Sequence, residues 1–129
     1  MASIFTKIVN GEIPCYKIAE TDDFLAFLDI EPNSKGHTLC IPKREINKIF
    51  DLEEAEYSRL MSFTRKVAKA LEKTVPCKRI GMTVIGLEVP HVHVHLIPLH
   101  TMEDARFIQK VKMPNLEFEA LAKAIHANL

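Results

Sequence analysis

Three of the chain's six histidines stand in one alternating run, His91-Val92-His93-Val94-His95, which continues as Leu96-Ile97-Pro98. Period two is the repeat of a strand. Val92, Val94 and Leu96 are therefore predicted to face a core, and the three imidazoles to share the opposite face. Three chemistries compete for such a row. A solvated strand face would use histidine merely as a polar residue, an uneconomical use of half the chain's histidines. A metal site is the second, because neutral imidazole binds zinc; yet zinc needs its nitrogens at about 2.0–2.1 Å. At about 3.3 Å per residue, His91 and His95 start roughly 13 Å apart. Only neighbours such as His91 and His93 could share an ion, with a third ligand from elsewhere. The third chemistry is nucleophilic catalysis with anion binding. Histidine titrates near 6.5, so the row would hold neutral and charged rings together around pH 7. Repulsion between like charges would help keep one ring neutral as a nucleophile, while its neighbours donate hydrogen bonds to an anionic substrate. A rigid strand beneath them suits phosphorus chemistry, and this is the reading the row favours.

The rest of the chain must position that row. At 129 residues it has the length of one domain with a real core, and the expected unit is a single domain over 1–129. Formal net charge is zero, so nothing global points to nucleic acid or an anionic membrane, and any attraction for phosphate must be local. Cys15, Cys40 and Cys77 are odd in number and form no CxxC pair. That speaks against a disulfide framework and fits a reducing interior. No signal-peptide core or membrane-length apolar run is present, so a cytoplasmic location is expected.

Ser3 is placed to cap a short helix carrying Ile4, Phe5, Ile8 and Val9, stopped by Asn10-Gly11. Strands are predicted over 15–20, over Phe24–Ile30 and over Thr38–Ile41, the last ended by Pro42. The loop Glu31-Pro32-Asn33-Ser34-Lys35-Gly36 delivers His37 to the third strand. Asp51 with Glu54 reads as a capping box. It would start a long helix whose stripe is Tyr57, Leu60, Thr64, Val67, Leu71 and Val75, halted by Pro76. Lys66, Lys69 and Lys73 fall off the stripe, as a solvated face would. A fourth strand is predicted over 79–85, antiparallel to a histidine strand over 90–98. Pro114-Asn115 introduces a C-terminal helix with an apolar face including Leu116, Leu121 and Ile125. Hairpin-linked strands with segregated helices mean α+β: a five-stranded antiparallel sheet, one long helix packed on it, and short terminal helices.

At this point the residues resemble a family. His91-Val92-His93-Val94-His95-Leu96-Ile97 is similar to the signature of the histidine triad (HIT) nucleotide-binding proteins. Four further blocks match in order: Ile4–Ile8, Gly11–Pro14, Leu25–Ile30 and Gly36–Lys43. The resemblance runs from about Ser3 to Pro98, leaving the tail over 99–129 outside. It implies a homodimer and a hydrolase or transferase acting at the α-phosphorus of a nucleoside phosphoramidate, dinucleoside polyphosphate or related nucleotide, with a purine nucleotide expected. By position in the motif, His93 would be the nucleophile that forms a transient nucleotidyl-histidine. His95 would contact the phosphate, and His91 would position it, its carbonyl accepting the Nδ1 proton of His93. His37 matches the family's loop histidine, and Asp29 the residue that binds the ribose hydroxyls. Phe5, Ile8, Phe27, Ile30 and Leu39 match the lining of the base pocket.

The chain also departs from the pattern. Ile85-Gly86-Leu87-Glu88-Val89-Pro90 is shorter than the usual segment, with Leu87 in place of an amide and Glu88 where a hydroxyl is common. A carboxylate repels phosphate unless it points away or pairs with a cation. That segment supports an alternative in another class, a nucleotide-binding interaction module with little turnover. There is no Trp, which excludes an indole at the active site. Some relatives bind zinc through N-terminal cysteines; Thr6 occupies one such place, so no metal and no cofactor are expected.

Overall fold

The computed structural model describes residues 2–129, so Met1, inside the domain span expected above, lies outside the described residues. Helix α1 (Ile4–Val9) begins where the Ser3 hydroxyl accepts the Thr6 N–H at 3.0 Å, the capping the sequence predicts. Strands β1 (Lys17–Glu20), β2 (Phe24–Leu28) and β3 (Thr38–Pro42) follow, then α2 (Glu54–Thr74), β4 (Arg79–Thr83), β5 (Val94–Leu99) and α3 (Asn115–Ala127). The strands form one antiparallel sheet in the order β1-β2-β3-β5-β4, the α+β architecture expected.

Alternation along the strands divides the apolar residues between two faces. Phe24, Ala26, Leu28, Cys40, Val94 and Leu96 join Leu60, Phe63, Val67, Ala70 and Leu71 of α2 in the larger core. Leu25, Phe27, Leu39 and Ile41 turn to the other face, where Phe5 of α1 covers them. Val92 also lies in the larger core, so valines and histidines do separate by face.

Several boundaries differ from the sequence reading. Asp51 caps nothing; it ends a short 3-10 turn, Ile49–Asp51, and α2 starts from Glu53 with no side-chain cap. The burial of its long stripe, extended by Phe63 and Ala70, carries α2 instead, and Tyr57 stands at its half-exposed rim. In α3 the buried residues are Phe118, Leu121, Ala122 and Ile125, while Leu116 is exposed. The strand starting at 15 begins at Lys17, β2 stops at Leu28, and β4 stops at Thr83. The histidine strand begins only at Val94, because Val92 gives its N–H to the Ile46 carbonyl in a loop rather than to a ladder. Pro98 sits inside β5 without harm. Pairing with β3 has ended at Leu96, so only the β4 side still needs bonds there.

Candidate active site

The row that crosses the sheet at the site is Phe27–Leu39–His95, each residue directly opposite the next. Onto this row the loop before β3 folds His37, and the loop before β5 brings His91 and His93. All four rings are buried: His37 and His91 completely, His93 and His95 to within a few per cent. The solvated reading of the row is therefore excluded.

Bonding partners assign the ring tautomers. His91 Nε2 lies 2.8 Å from the Pro42 carbonyl, which can only accept, so Nε2 carries the proton. Its Nδ1 then accepts from the Ser3 hydroxyl at 2.7 Å. With both nitrogens engaged, His91 has no lone pair for a metal, and the His91–His93 ion considered from sequence has no place. His93 Nδ1 lies 2.7 Å from the His91 carbonyl. That nitrogen carries the proton, which leaves Nε2 with a free lone pair. A second chain runs from the other side. The Asn33 N–H donates to His37 Nδ1 at 2.9 Å, so His37 donates from Nε2 to His95 Nδ1, also at 2.9 Å. His95 must then hold its proton on Nε2. The result is a free imidazole lone pair on His93 beside an N–H donor on His95, their rings 4.9 Å apart.

Burial favours the neutral forms of His37, His91 and His95. It is the main cause that pushes His37 down to about 3, with the His95, Lys110 and His93 charges adding to it. Burial likewise brings His95 to about 4 and lowers His91 against the opposing bond to Pro42. The repulsion expected from the sequence is thus secondary to desolvation. Asp29, half-buried, is raised by desolvation although its Oδ1 accepts the Glu31 N–H at 2.9 Å. Its Oδ2 lies 3.7 Å from His37 Nε2. Since that ring is neutral, the contact is not an ion pair. The ligand atoms of Asp29, His37 and His95 all lie within 4.8 Å of one another, but the His37 Nε2–H bond to His95 Nδ1 uses the lone pair that a cation there would need.

Of the expected pocket lining, Phe5, Phe27 and Leu39 are buried in one cluster and Ile8 packs against it. Phe5 sets its ring against His91 and His93, with centroids 5.7 and 4.9 Å apart. Ile30 is 68% exposed and stands outside that cluster. Leu87 is 90% exposed and Glu88 is exposed, without an ion pair among the described residues.

Sequence reasoning missed two groups. Ser3, Thr6 and Glu45 bind one another and His91: the Glu45 carboxylate accepts the Ser3 N–H at 2.6 Å and the Thr6 hydroxyl at 2.7 Å. The S-x-x-T spacing of the helix start was a signal for part of this; Glu45 had none. The second group is the tail. Phe107 sets its ring 4.9 Å from His95 and 5.9 Å from His37, and Lys110 lies over that ring. Fading periodicity past Leu99 concealed it.

Residues 10–102 match the family model described as HIT domain. Adenosine 5'-monophosphoramidase hnt1 of Schizosaccharomyces pombe is 42% identical over 99 residues, covering 76% of this chain and 74% of that protein. A HIT-like protein of Methanocaldococcus jannaschii is 35% identical over 132 residues, covering 95% of this chain and 97% of that one. In structure, the Hit-like protein involved in cell-cycle regulation from Bartonella henselae superposes with a TM-score of 0.84 at 32% identity, covering 98% and 96% of the two chains. With its triad, its sheet and these relatives in agreement, the chain belongs to the HIT domain family.

Proposed function

We propose that this chain is a nucleotide hydrolase or transferase that acts at the α-phosphorus of a nucleoside phosphoramidate, dinucleoside polyphosphate or related nucleotide, through a covalent nucleotidyl-histidine on His93. The observation that carries the reading is the 2.7 Å bond from His93 Nδ1 to the His91 carbonyl, which frees Nε2 as a lone pair. In the first step that lone pair forms a bond to phosphorus. The bond to the leaving group breaks, and the leaving group departs with the electron pair, an amine taking up a proton from solvent as it leaves. His95 Nε2–H holds a phosphoryl oxygen, stabilising charge where it develops, and the chain from Asn33 through His37 keeps that proton on the outer nitrogen. Water then attacks phosphorus, the P–N bond returns its electrons to His93, and the water's proton passes to solvent.

The apolar cluster of Phe5, Phe27 and Leu39, with Ile8 beside it, takes the base, and a purine has the face to fill it. Asp29 accepts the ribose hydroxyls. The protein acts as a cytoplasmic homodimer: β4 is an edge strand with unpaired backbone groups and exposed Met82, and Ile85 and Leu87 continue the apolar surface. Among the described residues no helix is long and apolar enough to cross a membrane.

The relatives named as adenosine 5'-monophosphoramidase make adenosine phosphoramidate the first substrate to try. Steady release of AMP and ammonia from it, or of a nucleoside monophosphate from a dinucleoside polyphosphate or sugar nucleotide in the same screen, is the expected outcome. Tight nucleotide binding with no turnover of any of them would leave the interaction-module reading in its place.

A further inference from the structure

Residues 104–111 lie beyond the family-matched region yet are fastened to the catalytic face. The buried Asn33 holds them at two points: its Nδ2 donates to the Asp104 carbonyl at 2.9 Å, and its Oδ1 accepts from Lys110 Nζ at 2.6 Å. The Val111 N–H adds a bond of 2.9 Å to the Pro32 carbonyl. Between these ties Phe107 adopts φ +59°, the one positive φ among the described non-glycine residues. A phenylalanine takes that conformation only when its surroundings hold it there, and its ring stands edge-on to His37 and His95. Lys110 Nζ sits 5.0 Å over the centre of the same ring. The two reacting histidines are thus walled by two phenyl rings: Phe5 beside His93 and Phe107 beside His95.

Lys110 is a fixed cation that makes no ion pair among the described residues, although its charge reaches Asp29 and opposes the desolvation of that carboxylate. Its ammonium donates to a neutral amide and faces an aromatic ring. An ammonium has three donors, and here one protein acceptor uses one of them. If a nucleotide puts its base on the Phe5 side and its α-phosphorus at His93, its remaining substituent extends along His95 towards Phe107 and Lys110.

From this geometry we infer that Phe107 and Lys110 form a leaving-group subsite, supplied from outside the HIT domain, that selects nucleotides carrying a further phosphate beyond the α-phosphorus. The inference rests on the nucleotide reading given above. Calorimetric binding of AMP and of α,β-methylene-ADP, which differ by one phosphate on the leaving-group side, separates the two. The wild-type protein should prefer the diphosphate analogue, and more so at low salt. Lys110→Gln should weaken the analogue about 10-fold, the scale of a lost charge-assisted hydrogen bond, with AMP changed less than about 2-fold. Lys110→Arg, which keeps the charge, should retain most of the preference. Equal weakening of both ligands would make Lys110 a mere tie for the tail, and no weakening of either would remove it from the site; each overturns the subsite while leaving the nucleotide reading intact. A wild-type protein that binds neither ligand overturns the nucleotide reading and the subsite with it.

Discussion

Asp29 does two things at once, and they can be separated. Its Oδ1 closes a turn by accepting the Glu31 N–H, and its main-chain N–H donates to the His37 carbonyl, so it helps set where His37 stands. Its Oδ2 is free for ribose hydroxyls. Hydrogen bonds to a charged group contribute about 1.5–3 kcal/mol, so Asp29→Ala should weaken AMP by at least about 10-fold. Asp29→Asn keeps the turn acceptor and should lose less. Equal affinity of wild type and Asp29→Ala by calorimetry would show that the ribose lies elsewhere. The placement of His91, His93 and His95 together, apart from the intervening valines, was legible at this scale because alternation fixes faces. The Glu45 carboxylate was not, since 42 residues separate it from Ser3 and only the folded chain joins them. Nor could the sequence show that desolvation, rather than mutual repulsion, dominates the neutrality of the rings; that depends on how deeply the loops bury them.

Among the elements, the turn into β3 is the most demanding. Gly36 has φ +97°, and a Cβ there would meet Val75 Cγ2 at 2.9 Å, Leu71 Cδ1 at 3.1 Å and Pro98 Cγ at 3.2 Å. Leu71 and Val75 belong to the core under α2 and its end, so they have little room to retreat. Gly36→Ala should therefore destabilise the protein by about 1–3 kcal/mol in urea unfolding, combining strained backbone with overpacking. It should also displace His37, the next residue. A loss below about 0.5 kcal/mol would mean that the turn is softer than its contacts imply. The strands and α2 were readable because their apolar periods are long and regular. Their ends were not: the capping pattern at Asp51 gave way to a 3-10 turn, and a real capping box formed instead at Thr101–Asp104, in the tail. A local signal of a few residues cannot tell which of two such sites the tertiary structure will use.

For the whole molecule, the buried histidines make stability depend on pH. In the unfolded chain their pKa is near 6.5; folded, His95 falls to about 4 and His37 to about 3. Below pH 6.5 the unfolded state binds more protons than the folded one, so unfolding free energy rises with pH and falls as acid is added. Between pH 6.5 and about 4 each of these two rings should cost up to about 1.4 kcal/mol per pH unit. Raised Asp29 acts in the opposite direction closer to its own range. Melting curves from pH 8 to pH 5 should show a falling Tm, and His37→Asn should flatten the decline. A Tm constant over that range would contradict the neutral, buried relay. The tail is the part of the molecule least legible beforehand, because its ties run through single residues, Asn33 to Asp104 and Lys110, with no period to betray them.

In the proposed mechanism His93 alone makes the covalent bond. The neighbouring rings share its chemistry, but His91 has both nitrogens engaged and His95 has its Nδ1 occupied by His37. Rapid acid-free quench of a nucleotide labelled at the α-phosphorus tests this directly. Label should be trapped on the wild-type chain at His93, and none on His93→Asn, although that variant still binds the nucleotide. Label found on His91 or His95, or normal turnover by His93→Asn, would contradict the account.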